Sequence, residues 1–337
     1  MYDSSIVLAS DSASTHLAGA SLAASLYDHS VTVLLRGELG VGKTTFLQGF
    51  LAALGVPGHV ISPTYALEQR YATPAGQVLH LDLYRLLPEQ AAALVDTSND
   101  EQILRCIEWS ERLDGSGVLS DLPVITVSLS ERDRGRAIVC AFEDTRLPSD
   151  DEIAEWRSST LLPTHIVNHC ETVANLCDRL SHDLRQRGII VRQKTVRAAA
   201  RVHDLLRFVD FRPGASPKGF RYSPEELARW AEWTGRFLGM RHEAACAAFL
   251  REQGYPALGT IVKTHGLRLG DNAHTTIEQK LLYYADKRVM LDQVVTLDER
   301  FADFAQRYGG GKQSDQAKLW HDEARAIERE LFPAGAP

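Results

Sequence analysis

The stretch Gly37-Glu38-Leu39-Gly40-Val41-Gly42-Lys43-Thr44 constrains this chain more than any other. It fits the pattern G-x-x-x-x-G-K-[ST]. It follows Val31-Thr32-Val33-Leu34-Leu35, a short β-branched apolar run that reads as a buried strand, and it leads into a helical pattern from Thr44 to Leu54. Glycines let successive backbone amides curl around a phosphate, and the helix start adds its partial positive charge. A loop of this kind works only where a strand hands the chain directly to a helix. The first half is therefore expected to be α/β, with Lys43 on the β- and γ-phosphates and the Thr44 hydroxyl on Mg²⁺.

The chain has 337 residues and a formal net charge of −7. That length is too great for one ordinary core and suits two domains of roughly 150 residues. Charge is divided unevenly: residues 1–150 carry 10 Lys and Arg against 19 Asp and Glu, and the one lysine among them is Lys43. An acidic half lacks the basic face needed to neutralise nucleic-acid phosphates unaided. Five cysteines (Cys106, Cys140, Cys170, Cys177 and Cys246) show no C-x-x-C pairing, so they read as small core residues and not as a disulfide framework or zinc site. No run approaches the ~18 apolar residues of a membrane span. The opening Met1-Tyr2-Asp3-Ser4 lacks the pattern of a secretory signal. The expectation is a cytoplasmic protein with no membrane partner.

Further strands are expected at 77–83, 105–109, 124–129 and 137–142, the last two joined by a charged turn through Asp133-Arg134-Gly135, which makes the sheet mixed. A helix is expected from Thr15 to Tyr27. The pattern breaks between Leu147 and Thr160, giving domains at 1–148 and 161–337 with a linker at 149–160. From Pro163 onward the segments read as helical, interrupted by a polar loop from Arg212 to Pro224 and ending in a charged helix after Gly309-Gly310-Gly311.

Two carboxylates close strands in the first half: His80-Leu81-Asp82-Leu83-Tyr84-Arg85 and Ile107-Glu108-Trp109. Phosphoryl transfer needs acids at strand ends to hold Mg²⁺ and position the attacking water, although either acid alone reads equally well as a surface charge. The ordered set Gly37–Thr45, Ser62-Pro63-Thr64-Tyr65, His80-x-Asp82-x-Tyr84-Arg85-Leu86 and Ile107-Glu108-Trp109-x-Glu111-Arg112 resembles the TsaE family, across roughly residues 10–145. These are small ATPases of bacterial tRNA threonylcarbamoyladenosine synthesis. The resemblance implies ATP binding and slow hydrolysis in partnership with a TsaB–TsaD pair, with tRNA reached indirectly through that complex. It implies that Gly37, Glu38, Leu39, Gly40, Val41, Gly42, Lys43, Thr44, Thr45 and Thr64 bind the nucleotide. Thr44, Asp82 and Glu108 would surround Mg²⁺, and Lys43 and Glu108 would act on the γ-phosphate. A P-loop small-molecule kinase is the alternative, disfavoured because so short a domain leaves little room for an acceptor pocket and lid.

In the second half, His169 lies on the apolar stripe of Ile166 and Val173. His203 shares a face with Val196, Ala199 and Ala200 and is followed by Asp204, and Asp286 has Leu282 and Val289 beside it. A carboxylate turned toward a core is costly unless it is paired or bound to a cation. Any one of these histidines alone reads as a hydrogen-bonded core residue. Together they resemble the HD-domain metal-dependent phosphohydrolases, H…HD…D, over roughly residues 163–305. His242 and His265 match the extra histidines of members that hold two metals. Tyr284-Ala285-Asp286-Lys287-Arg288 looks like the HDIG subgroup, but His203-Asp204-Leu205-Leu206-Arg207 lacks that subgroup's glycine and lysine. The resemblance implies hydrolysis of a phosphoester, in a nucleotide or other phosphorylated small molecule, on one or two ions bridged by Asp204. Nitrogen-rich ligands favour Mn, Fe, Co, Ni or Zn. Lys287, Arg207 and Lys263 are candidates for the substrate phosphate, His165 is an alternative to His169, and His182 and His274 read as surface residues. A ligand-sensing module without turnover is the second reading. The expected fold is thus a three-layer α/β P-loop NTPase with a mixed sheet, followed by an all-α HD-type domain.

Overall fold

The computed structural model describes residues 2–27, 30–58, 60–98, 103–120, 122–211, 220–267, 274–308 and 314–336. The chain divides into two compact units: Tyr2–Arg146 with His182–Arg192, and Leu147–Ser181 with Gln193–Pro337.

The first unit runs β1 (Asp3–Ala9), α1 (Ser12–Ala23), β2 (Thr32–Arg36), α2 (Lys43–Ala53), β3 (Glu68–Thr73), β4 (Gly76–Asp82), α3 (Pro88–Thr97), β5 (Leu104–Glu108), β6 (Val124–Arg132) and β7 (Gly135–Phe142). Its sheet has the order β1-β7-β6-β2-β5-β4-β3. The central strands β6, β2, β5 and β4 are parallel, and β7, β1 and β3 add antiparallel margins. The middle of β2, Val33-Leu34-Leu35, is apolar without alternation because both its faces are covered. Val33 and Leu35 join the cluster containing Phe46, Leu47 and Phe50 of α2, whereas Leu34 joins the one containing Ala91 and Val95 of α3. The result is three layers, with the phosphate loop at the parallel strands' carboxyl ends. Strands β1 and β3 and helix α3 were not expected from the sequence, and α1 ends before Tyr27.

The second unit runs α4 (Asp150–Ser159), α5 (Thr164–Gln186, whose last turn belongs to the first unit), α6 (Gln193–Val202), α7 (Pro224–Arg236), α8 (His242–Glu252), α9 (Pro256–Lys263), α10 (Ile277–Lys287), β8 (Val289–Met290), β9 (Gln293–Val294), α11 (Leu297–Tyr308) and α12 (Asp315–Leu331). Residues 150–159 are helical where a linker over 149–160 was expected. Ser149 caps α4 reciprocally with Glu152, and Ile153 and Trp156 are buried. The β8–β9 ribbon is likewise an addition to an otherwise helical unit. Residues 212–219 of the expected polar loop, and Gly309–Gly311, lie outside the described residues. Among the described residues, no helix is long and apolar enough to cross a membrane.

Candidate nucleotide and metal sites

Gly37, Gly40 and Gly42 all take positive φ (134°, 81° and 108°), which turns the loop's amides inward. Gly42 caps α2 without a side-chain acceptor, so the amides of Lys43, Thr44 and Thr45 face the loop with no helical partner. Glu38, Leu39 and Gly40 are exposed at its tip, and Val41 anchors it in the core. Lys43 is buried. Its Nζ donates to Gly37 O at 2.6 Å and Glu38 O at 3.0 Å, and lies 3.6 Å from the centre of the Trp109 ring. Burial pushes its pKa down, opposed by Glu108, Glu111 and Asp82. The loop's own carbonyls thus hold the ammonium where a phosphate would need it.

Asp82 and Glu108 are register partners at the ends of β4 and β5. The Thr44 hydroxyl donates to Glu108 Oε2 at 3.1 Å. Asp82 Oδ2 accepts from Ser62 at 2.5 Å and from Thr64 at 2.6 Å, and Oδ1 accepts from the Tyr84 amide. The Ser-Pro-Thr loop is therefore tied to Asp82. These oxygen donors suit a hard cation such as Mg²⁺. Sequence reading gave no role to two further groups here. His80, fully buried, sets Nε2 3.0 Å from Glu108 Oε1, and Glu111 Oε1 accepts from the Gly37 amide. Both lie inside the quoted motifs, and the unbroken apolar run on either side of His80 in β4 (Val78-Leu79 and Leu81) was the available signal that its ring is buried.

In the helical unit, His169 comes from α5, His203 and Asp204 from the turn just past α6, His242 from the start of α8, His265 from just past α9, and Asp286 from α10. Each imidazole commits its Nδ1–H elsewhere: His203 to Ala200 O (2.7 Å), His265 to Val262 O (2.6 Å), His169 to Leu291 O (2.9 Å) and His242 to Asp210 Oδ2 (2.7 Å). Four Nε2 atoms then converge on two carboxylates. His242 and His265 Nε2 stand 3.1 and 3.5 Å from Asp204 Oδ1 and 3.0 Å from each other. His169 and His203 Nε2 stand 3.0 and 3.7 Å from Asp286 Oδ1. His203 Nε2 and Asp204 Oδ1 are buried without a hydrogen-bond partner. This buried set of nitrogen and carboxylate donors, two of its atoms without a partner, has the chemistry to fit a transition ion.

Burial opposes charge on Asp204, yet Arg207, His203 and His242 hold it well below the carboxylate range, and Lys287 and His169 do the same for Asp286. Burial likewise opposes charge on His203 and His242, yet Cys170 and Asp204 push His203 up and Asp204 pushes His242 up. Burial, with His203 and His242 nearby, pushes His265 down to about 4.

Several neighbours differ from expectation. Lys287 is buried and turned inward, its Nζ donating to Asp286 Oδ2 and His265 O, so it faces no substrate. Lys263 is exposed, and Arg207 lies partly open with its NH1 equidistant (3.0 and 2.9 Å) from both nitrogens of His242, hence over the ring. His165 stacks on Phe220, with ring centres 3.8 Å apart, and takes no place in the cluster. His182 is exposed, but His274 is half-buried with its side chain turned inward and bonded to Thr264 O, so its ring is not on the surface. Asp210 and Glu243, both beside His242, were not anticipated.

The first unit is a P-loop nucleotide-binding fold with an Asp–Glu pair at the loop. Residues 9–138 match the family "Threonylcarbamoyl adenosine biosynthesis protein TsaE". Relatives carrying the name tRNA threonylcarbamoyladenosine biosynthesis protein TsaE include those of Haemophilus influenzae (38% identical over 33% of this chain and 70% of the relative), Aquifex aeolicus (36%, over 30% and 74%) and Rickettsia bellii (38%, over 38% and 88%). The crystal structure of Bacillus subtilis YdiB aligns at 23% identity and a TM-score of 0.33, over 42% of this chain and 87% of that one. Through its first unit the chain belongs to the TsaE family. The family match ends at residue 138, so the helical unit is read from its own geometry.

Proposed function

We propose that this chain is an ATP-hydrolysing factor of tRNA threonylcarbamoyladenosine synthesis that also carries a metal-dependent phosphoester hydrolase of the HD type. The first part rests on the family and on the loop's geometry. Lys43 and the amides of residues 37–45 bind the ATP phosphates, Thr44, Asp82 and Glu108 hold Mg²⁺, and Glu108 aligns the attacking water. Thr64 is released from Asp82 as the nucleotide enters. An acidic unit with one lysine suits action through a TsaB–TsaD-type complex, which carries the tRNA.

The second part rests on one observation: four imidazole Nε2 atoms and two carboxylates brought together in one cluster, with His203 Nε2 and Asp204 Oδ1 buried without a hydrogen-bond partner. His169, His203 and Asp286 would hold one ion and His242 and His265 a second, with Asp204 available to both. When bound, such ions (Mn, Fe, Co, Ni or Zn) would supply an acidified water and charge stabilisation for a phosphate ester. Arg207, at the edge of the cluster, meets the substrate's phosphate. The test is metal content after purification without chelators or a metal-binding tag. Two transition ions per chain are expected, lost on His203→Ala with Asp204→Ala while the fold is kept. A folded chain that holds no metal and refuses added Mn²⁺ overturns the hydrolase.

A further inference from the structure

We propose that Asp210 is the positioning residue for the second metal ion, fixing the tautomer and ring orientation of His242 so that its Nε2 faces Asp204 and His265. The inference rests on the hydrolase reading and adds a residue outside the six ligands.

Three of the four imidazoles are oriented by main-chain carbonyls: Ala200 O for His203, Val262 O for His265 and Leu291 O for His169. No substitution of a side chain removes those acceptors. His242 differs, because its Nδ1 faces the carboxylate of Asp210 at 2.7 Å. The grip has two points, since Asp210 Oδ1 also accepts from the His242 amide at 3.2 Å. Arg241 Nε stands 3.0 Å from Asp210 Oδ2 and holds the carboxylate in turn. Glu243 is a weaker competitor for the ring, with its Oε2 3.4 Å from Nδ1. Arg207 lies over the ring face and leaves both in-plane lone-pair directions free.

The short turn Arg207–Asp210 therefore does more than carry the chain onward from α6. It places a carboxylate behind one ligand of one ion only. A carboxylate behind a metal-binding imidazole fixes its tautomer and raises its basicity, and losing such a partner costs roughly 10- to 100-fold in metal affinity. Here the loss should fall on the ion between His242, His265 and Asp204, leaving the ion of His169, His203 and Asp286 in place.

The experiment is Mn²⁺ titration of the full chain, read by bound stoichiometry and by the electron spin resonance of the Mn²⁺ pair. Wild type is expected to bind two ions with a spin-coupled spectrum. Asp210→Ala is expected to hold one ion tightly, with the second weakened roughly 10- to 100-fold and the coupled spectrum lost at low loading. Asp210→Asn keeps an oxygen for the His242 amide and guards against simple unfolding. It is expected to weaken the same ion without changing the first. Two ions bound by Asp210→Ala with wild-type affinity overturn the role of Asp210 alone, as does equal weakening of both ions in a folded Asp210→Asn. A wild type that binds no Mn²⁺ removes the hydrolase reading and this inference together.

Discussion

Glu108 is reached from two sides, and the two contacts do different things. Thr44 meets Oε2 at the loop, whereas His80 meets Oε1 from inside the sheet. His80 Nδ1 is buried without a partner, so a proton on Nε2 donated to Glu108 leaves the fewest groups unsatisfied. Glu108→Gln keeps the shape and removes the carboxylate's basicity. It is expected to lower ATP turnover by roughly 100-fold or more, with a smaller loss of MgADP affinity because Thr44 and Asp82 still serve the ion. Intact turnover would remove Glu108 from the chemistry. His80→Leu deletes a hydrogen bond to a charged group, worth roughly 1.5–3 kcal/mol, which is tenfold or more in rate. His80→Gln offers an amide donor in nearly the same place and should recover most of that loss. If both variants fall equally in kcat, His80 serves packing and does not hold the carboxylate.

The helices α1 and α2 show what one missing methyl group permits. A Cβ on Gly49 would run into His16 O, and one on Gly19 into Phe46 O, so the two backbones touch at a crossing that only glycine allows. Gly49→Ala must push the helices apart and is expected to cost about 1–3 kcal/mol, measured by urea unfolding of the full chain. An unchanged midpoint would mean that the crossing can shift freely. The same scale explains what was legible in the sequence. The β2–loop–α2 segment announced itself because each glycine serves the loop and the strand is buried on both faces. β1 did not, because its polarity is inverted: Asp3 and Ser5 point inward while Ile6 and Leu8 are more than half exposed. β3, Glu-Gln-Arg-Tyr-Ala-Thr, is a polar margin with no buried residue. α4 read as a linker because Asp150, Asp151 and Glu152 crowd its first turn, which is where acids favour a helix. The six histidine and aspartate positions were legible as a pattern. Asp210 was not, because it belongs to no motif and acts through another side chain.

At the scale of the molecule, the chain does not divide where its composition does. The break at residues 147–160 suggested that the first unit was complete by 148, but the first unit also recruits 182–192, at the end of α5. Ile190 is fully buried in the cluster with Leu22 and Phe50, and its amide donates to Ser21 Oγ at 2.8 Å. Arg192, fully buried, forks onto Asp144 with both bonds at 2.8 Å. The long helix that carries His169 therefore ends inside the nucleotide-binding unit. A chain cut at 148 would leave a hole where Ile190 packs and an Asp144 carboxylate deprived of this partner, each a known route to large destabilisation. In the full chain, Ile190→Ala is expected to destabilise the first unit by about 2–5 kcal/mol. The assay is a thermal scan with and without MgADP, since ligand raises the transition of the unit that binds it. Ile190→Ala should lower the MgADP-shifted transition, and Leu281→Ala, buried in α10, should lower the other. If Ile190→Ala left the MgADP-shifted transition in place, residues 182–192 would not belong to the nucleotide-binding unit, and a boundary near 148 would stand.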